Sequence, residues 1–134
     1  MRYVTLAVFV FCTLLFSHRA STQPYPGTVF LTEAELRALL IGRAICGTNP
    51  AGRPYKDVFR ADGRLEGSSM SADTMTPIVD VGTWRTQTGT GSYHAGLMCE
   101  NWEHWTADNG CFALGRDGAG RYFYRDGRPA TICQ

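Results

Sequence analysis

The sequence predicts an α+β domain that is mainly β: a short N-terminal helix packed on an antiparallel meander that curls into a small barrel or half-barrel and carries two disulfides. Three observations predict it. Asp-Gly pairs recur between short alternating segments, and glycine is abundant, at 15 of 134 residues, which suits tight turns more than long helices. A single strong helix-start signal stands near the front of the folded part. Four cysteines follow an apolar leader, the pattern of a small exported domain.

The leader comes first. Arg2 precedes an apolar run from Tyr3 to Phe16, interrupted only by Thr5, Cys12 and Thr13. Fourteen helical residues rise about 21 Å, short of the roughly 30 Å hydrocarbon core of a bilayer. A basic start, a short apolar stretch and a polar end are the marks of a secretory signal peptide. Residues 1–20 are read as that signal, with cleavage after Ala20, so no stable membrane anchor is expected. Cys12 follows the bulky Phe11, which does not suit a lipoprotein signal, and it leaves with the leader. Residues 21–31, with Pro24, Pro26 and Gly27, read as an extended lead-in. Residues 32–134 form one β-rich domain, a usual size for one.

Thr32-Glu33-Ala34-Glu35 is a capping box, in which the threonine hydroxyl and the second glutamate each serve the other's backbone amide. Leu36, Leu39 and Leu40 then give one apolar stripe, and Gly42 ends the helix. Strand pieces follow. Arg43–Gly47 is the first. Tyr55, Asp57 and Phe59 share one face of the next, and Ala61-Asp62-Gly63-Arg64 turns the chain back through Leu65 and Glu66. Pro77–Val81 leads into a strand at Gly82–Arg85, and Gly89–Ser92 is a flexible loop. Leu97 to Trp105 and Cys111 to Leu114 read as a pair joined around Asp108-Asn109-Gly110. Arg116–Gly120 turns into Arg121–Tyr124, Asp126-Gly127 turns again, and Ala130–Cys133 closes the chain. Regular spacing of this kind suggests a meander. One helix cannot cover two sheet faces, so the sheet is expected to curl, with the helix across one opening.

Without Cys12, the cysteines are Cys46, Cys99, Cys111 and Cys133. They allow three pairings. Cys99–Cys111 is favoured, because these two flank a short excursion between adjacent strands, and Cys46–Cys133 remains. The gaps of 53, 12 and 22 positions contain no close C-x-x-C pair, which argues against a zinc site or a thiol oxidoreductase.

The chain has 13 basic and 12 acidic residues. Removing Arg2 and Arg19 with the leader leaves 11 against 12, a net charge of −1. Such a domain exerts no general pull on nucleic acid, and no nucleic-acid partner is expected.

The order of features resembles a group of small exported proteobacterial β-rich proteins, classed as a domain family of unknown function. The elements that carry the resemblance are the helix from Leu31 to Ile41, Phe59-x-x-Asp62-Gly63, Gly82-Thr83-Trp84, Leu97-Met98-Cys99-x-x-Trp102, Cys111, and Tyr122 before Asp126-Gly127. The resemblance implies a periplasmic or secreted β-rich domain and no particular activity or functional residue.

Chemistry-bearing motifs are few. In Cys99–Trp105, a continuous strand would put Glu100, Trp102 and His104 on one face and Cys99, Asn101, Glu103 and Trp105 on the other. Glu100, His104 and His94 are ligand types for zinc or copper. Positions i and i+4 on a strand lie about 13 Å apart, however, too far for one ion, so no metal or other cofactor is expected. Met98 reads as core filler. Ser68, Ser69, Ser71 and Ser92 accompany two histidines without a G-x-S-x-G, and no catalytic residue is assigned. The strongest functional signal is aromatic: Trp84, Trp102, Trp105, Tyr122 and Tyr124, with Arg121, are residue types that dominate binding hot spots. The leading expectation is a non-enzymatic periplasmic or secreted binding module that presents this aromatic and Arg surface, or a barrel mouth, to a protein, glycan or small molecule. The alternative is a lipocalin-like pocket protein for a small apolar or metal-containing ligand, and an enzyme of unidentified class is third.

Overall fold

The computed structural model describes residues 27–49, 51–71, 73–90 and 95–134. The leader, most of the lead-in, Ser92 and His94 lie outside the described residues. The elements run β1 (Val29–Phe30), α1 (Glu33–Leu40), β2 (Arg43–Thr48), β3 (Pro54–Phe59), β4 (Arg64–Met70), β5 (Pro77–Thr88) and β6 (Gly96–Trp102). A 3-10 turn at Thr106–Asp108 precedes β7 (Gly110–Phe112), β8 (Leu114–Arg116), β9 (Tyr122–Tyr124) and β10 (Pro129–Cys133).

All ten strands join one antiparallel sheet in the order β1-β8-β9-β10-β2-β3-β4-β5-β6-β7. Two meanders, β2 to β7 and β8 to β10, meet where β10 pairs with β2. Connectivity forces this sheet to curl. β7 is one edge and β8 lies next to the other, yet only Ala113 separates them in the chain. In a flat sheet with strands ~4.8 Å apart they would stand roughly 40 Å from each other. Leu31 helps to draw the two sides together. Its amide donates to the Leu114 carbonyl at 2.9 Å, and its carbonyl accepts from the Gly96 amide at 2.8 Å. The result is a half-barrel.

The helix covers one end of it. Thr32 caps α1, accepting from the Glu35 amide at 3.3 Å, while the Glu35 carboxylate accepts from the Thr32 amide at 2.8 Å. Glu33 accepts from the hydroxyls of Thr86 and Thr88 on β5, which fastens the helix start to the sheet. Leu36 and Leu40 face inward and are fully buried with Phe59, Leu65, Met98 and Leu114. Trp84 closes this core, edge-on to Phe59 at 5.2 Å, its indole N–H donating to the Arg60 carbonyl. The turn between β3 and β4 is the expected Asp62-Gly63, with Gly63 at φ +86°.

Cystines staple neighbouring strands: Cys99 and Cys111 stand opposite each other on β6 and β7, and Cys46 on β2 joins Cys133 on β10. Loop-closure entropy credits the 87-residue separation with about 4–5 kcal/mol and the 12-residue one with about 3 kcal/mol. Bonds of this kind belong to an oxidising, non-cytoplasmic compartment. Among the described residues, no helix is long and apolar enough to cross a membrane.

Three local expectations are corrected. Cys111 to Leu114 is not one strand: β7 ends at Phe112, and Leu114 begins β8 on the far side of the sheet. Val29 and Phe30, read as lead-in, pair with β8. The strand expected to reach Trp105 stops at Trp102. Buried Asp80 on β5 captures the amides of His104 and Trp105 at 2.9 and 2.7 Å. Those groups are then unavailable for strand pairing, and the chain turns inward.

A cavity at the open end as the candidate functional site

The end opposite the helix is hollow. Strand alternation puts Tyr55 and Asp57 of β3 in the same inward phase as Phe59, and Glu100 and Trp102 of β6 in phase with Met98. Phe59 and Met98 lie under the helix. One step toward the other end the inward residues become carboxylates, and one step further they become Tyr55 and Trp102. The chain thereby encloses a cavity of about 450 Å³, into which Asp57, Glu100, Asp108, Tyr55 and Tyr124 contribute polar groups. Trp102, Trp105 and Phe112 supply aromatic walls, and Arg53 and Arg128 stand among the lining residues.

Gly67 makes room for those walls. A Cβ at this position of β4 would lie 2.5 Å from the Trp105 ring and 2.7 Å from the Trp102 ring. The two indoles pack on each other at 5.3 Å over the bare backbone. Asp80 holds this arrangement from behind. Besides the two loop amides it accepts from the Val81 amide and pairs with His104 Nδ1 at 2.8 Å. Burial pushes the Asp80 carboxyl up, but the His104 side chain and these amides outweigh it and hold the group well below the usual carboxylate range. His104 is raised in turn, first by its hydrogen bond to Asp80. Its ring is largely exposed, so it fixes the loop from outside the cavity.

Inside, the electrostatics run the other way. Burial, then repulsion by Asp108, pushes the Asp57 carboxyl up to about 7. Burial, then Asp57, pushes Glu100 up to about 8, against the Trp102 indole N–H that donates to Glu100 Oε2 at 3.1 Å. Burial raises both the Tyr55 and the Tyr124 hydroxyls. At neutral pH Asp57 is therefore half-protonated and Glu100 largely protonated, and both stand beside neutral phenols and aromatic faces. Arg128 stacks over the Tyr124 ring at 4.9 Å and pairs with Asp126.

The six residues expected to form one binding surface divide three ways. Trp84 is core. Trp102, Trp105 and Tyr124 meet in the cavity. Arg121 and Tyr122 lie along a shallower groove on β9 and β10, where Arg121 pairs with Asp117 at 2.7 Å. Glu100 and His104, weighed as a metal pair, point to different places: one into the cavity, the other from the surface to buried Asp80. Met98 is fully buried core. Among the described residues, no cluster of three or more metal-ligating side chains occurs.

Asp57 and Asp80 were not singled out from sequence, although each carries a signal. Asp57 shares a face with Tyr55 and Phe59, and Asp80 falls in phase with Ile78, Gly82 and Trp84 on β5. An acid in the inward phase of a barrel strand must be either satisfied or functional.

In comparisons with known proteins, no family model matches the chain, and no curated protein or solved structure shows significant similarity to it.

Proposed function

We propose that the protein is a non-enzymatic, periplasmic or secreted binding protein that takes a small molecule into the mouth of its half-barrel. One observation carries this reading: a cavity of about 450 Å³ in which aromatic faces converge with a few buried polar groups, the usual make-up of a small-molecule site. The apolar leader and the two disulfides support export. A protein-docking surface has thinner support, since only Arg121 of the six candidates lies outside both core and cavity, and Tyr122 packs partly buried against the core.

Native mass spectrometry tests the proposal. The mature, oxidised domain, mixed with the low-mass fraction of a periplasmic extract, is expected to retain a small-molecule adduct. Ala107→Trp, which sets an indole on an exposed residue of the cavity lining, is expected to lose it. Bare polypeptide in both samples, or an adduct indifferent to the substitution, overturns the reading.

A further inference from the structure

We propose that the ligand is a compact organic ammonium, its charge seated between Asp57 and Glu100 and its alkyl groups against the faces of Trp102 and Trp105. This rests on the reading of the cavity as a binding site and gives that site a chemical class.

The two carboxylates come from β3 and β6 and enter one hollow. Among the described residues, the Asp57 side chain has no hydrogen-bond partner, and Glu100 meets only the Trp102 indole N–H. Asp108 on the 3-10 turn adds a third acid. Neither cation that lines the same space is paired with these acids. Arg128 is paired with Asp126 and stacked on Tyr124, and Arg53 donates through Nη1 to the Met70 carbonyl while its Nε is buried without a partner. Tyr55 and Tyr124 bring neutral hydroxyls. Once ionised, Asp57 and Glu100 thus have no protein cation paired with them, and they stand beside aromatic faces that themselves attract cations. A cationic ligand favours ionisation of both acids, which neither an anionic ligand nor a neutral polyol does.

Proton balance follows from the geometry. In the empty cavity, burial, with repulsion of Asp57 by Asp108 and of Glu100 by Asp57 and Asp108, keeps protons on the two carboxyls. An ammonium entering between them favours the ionised forms, and the displaced protons pass to solvent. Binding therefore strengthens as pH rises across the neutral range.

The test uses the oxidised domain, choline as the cationic probe, its neutral carbon isostere dimethylbutanol as control, and cadaverine as a primary diammonium. Tryptophan fluorescence reports occupancy, because two of the three tryptophans line the cavity. At about pH 8, choline or cadaverine is expected to bind at least about tenfold more tightly than dimethylbutanol. Affinity is expected to rise about tenfold between about pH 6 and about pH 8, with protons released in calorimetry. Glu100→Gln keeps an acceptor for the Trp102 indole and is expected to fold, with most of the affinity lost and only the part of the pH dependence that Asp57 carries remaining. Equal binding of dimethylbutanol, pH-independent binding, or full affinity in folded Glu100→Gln overturns the proposal. Silence from both ammonium probes overturns it too. In that case, an adduct that persists in the native spectra and is lost in Ala107→Trp leaves the cavity reading standing and shows that only the ligand class was wrong.

Discussion

The two ends of the half-barrel are built from the same strands and obey opposite rules. Under the helix, β3 offers Phe59, β4 Leu65 and β6 Met98, all fully buried. Two residues along each strand, in the same inward phase, stand Asp57, Gly67 and Glu100. Helix α1 excludes water from the first level, and among the described residues nothing comparable covers the second. The difference teaches that closure rather than strand pairing decides which inward residues the fold tolerates. Apolar side chains gain by burial where the helix seals the end. At the open end, acids persist by holding protons, and aromatic rings persist by leaning on a glycine.

This contrast can be broken from either side, and the largest effect is expected at the sealed end. Phe59→Ala removes a ring with no exposure that stands edge-on to Trp84. A loss of about 3–5 kcal/mol in denaturant unfolding is expected. A loss below about 1 kcal/mol would mean that the helix does not seal a rigid core.

The mouth should respond with the opposite sign. Glu100, pushed up to about 8, retains its proton in the fold while the unfolded chain has released it. Wild-type stability from this group therefore falls as pH climbs from the ordinary carboxylate range through about 8. Glu100→Gln removes that penalty. The variant is expected to gain about 2 kcal/mol near pH 8 relative to wild type, after allowance for solvent at the mouth, and almost nothing near pH 4. Unfolding curves at the two pH values measure it. A destabilised Glu100→Gln at high pH would show that the carboxylate is satisfied, which would erase the proposed difference between the ends.

The smallest effect belongs to the outer support of the mouth. His104 is raised by Asp80, so its contribution is complete below the ordinary histidine range and disappears as pH rises through its elevated value. His104→Ala is expected to lower the melting temperature more near pH 5 than near pH 9. An equal drop at both would mean that the ring acts by packing alone. Because Asp80 keeps its bonds to the Val81, His104 and Trp105 amides, the loop should hold its place in either case.

Much of this molecule is legible along the chain. The Thr32 to Glu35 pattern carries the helix start, Asp62-Gly63 and Asp126-Gly127 carry turns, and the spacing of Cys99 and Cys111 carries their pairing. Each of these rests on groups within about a dozen positions of one another. The inward phases of β3 and β6 were legible too, by alternation. The cavity was not. The turn that brings Trp105 onto Trp102 depends on Asp80, 25 residues upstream. Expecting one strand as far as Trp105 was reasonable locally and fails for that distant reason. The aromatic set misled in a similar way: composition shows that tryptophans are plentiful, while only packing separates the core ring of Trp84 from the cavity walls.

The sequence by itself determined the local vocabulary: a capped helix, alternating strands, tight turns and cysteines placed to pair. Those are set by backbone sterics, side-chain period and short-range hydrogen bonds, which neighbouring residues decide between them. Only the tertiary structure decided that Asp57 and Glu100 share one hollow. Two strands, β4 and β5, separate theirs, which in a flat sheet is roughly 14 Å. It takes the curl, imposed where Ala113 carries the chain across to β8, to turn both carboxyls toward the same space, out of bulk water and against each other.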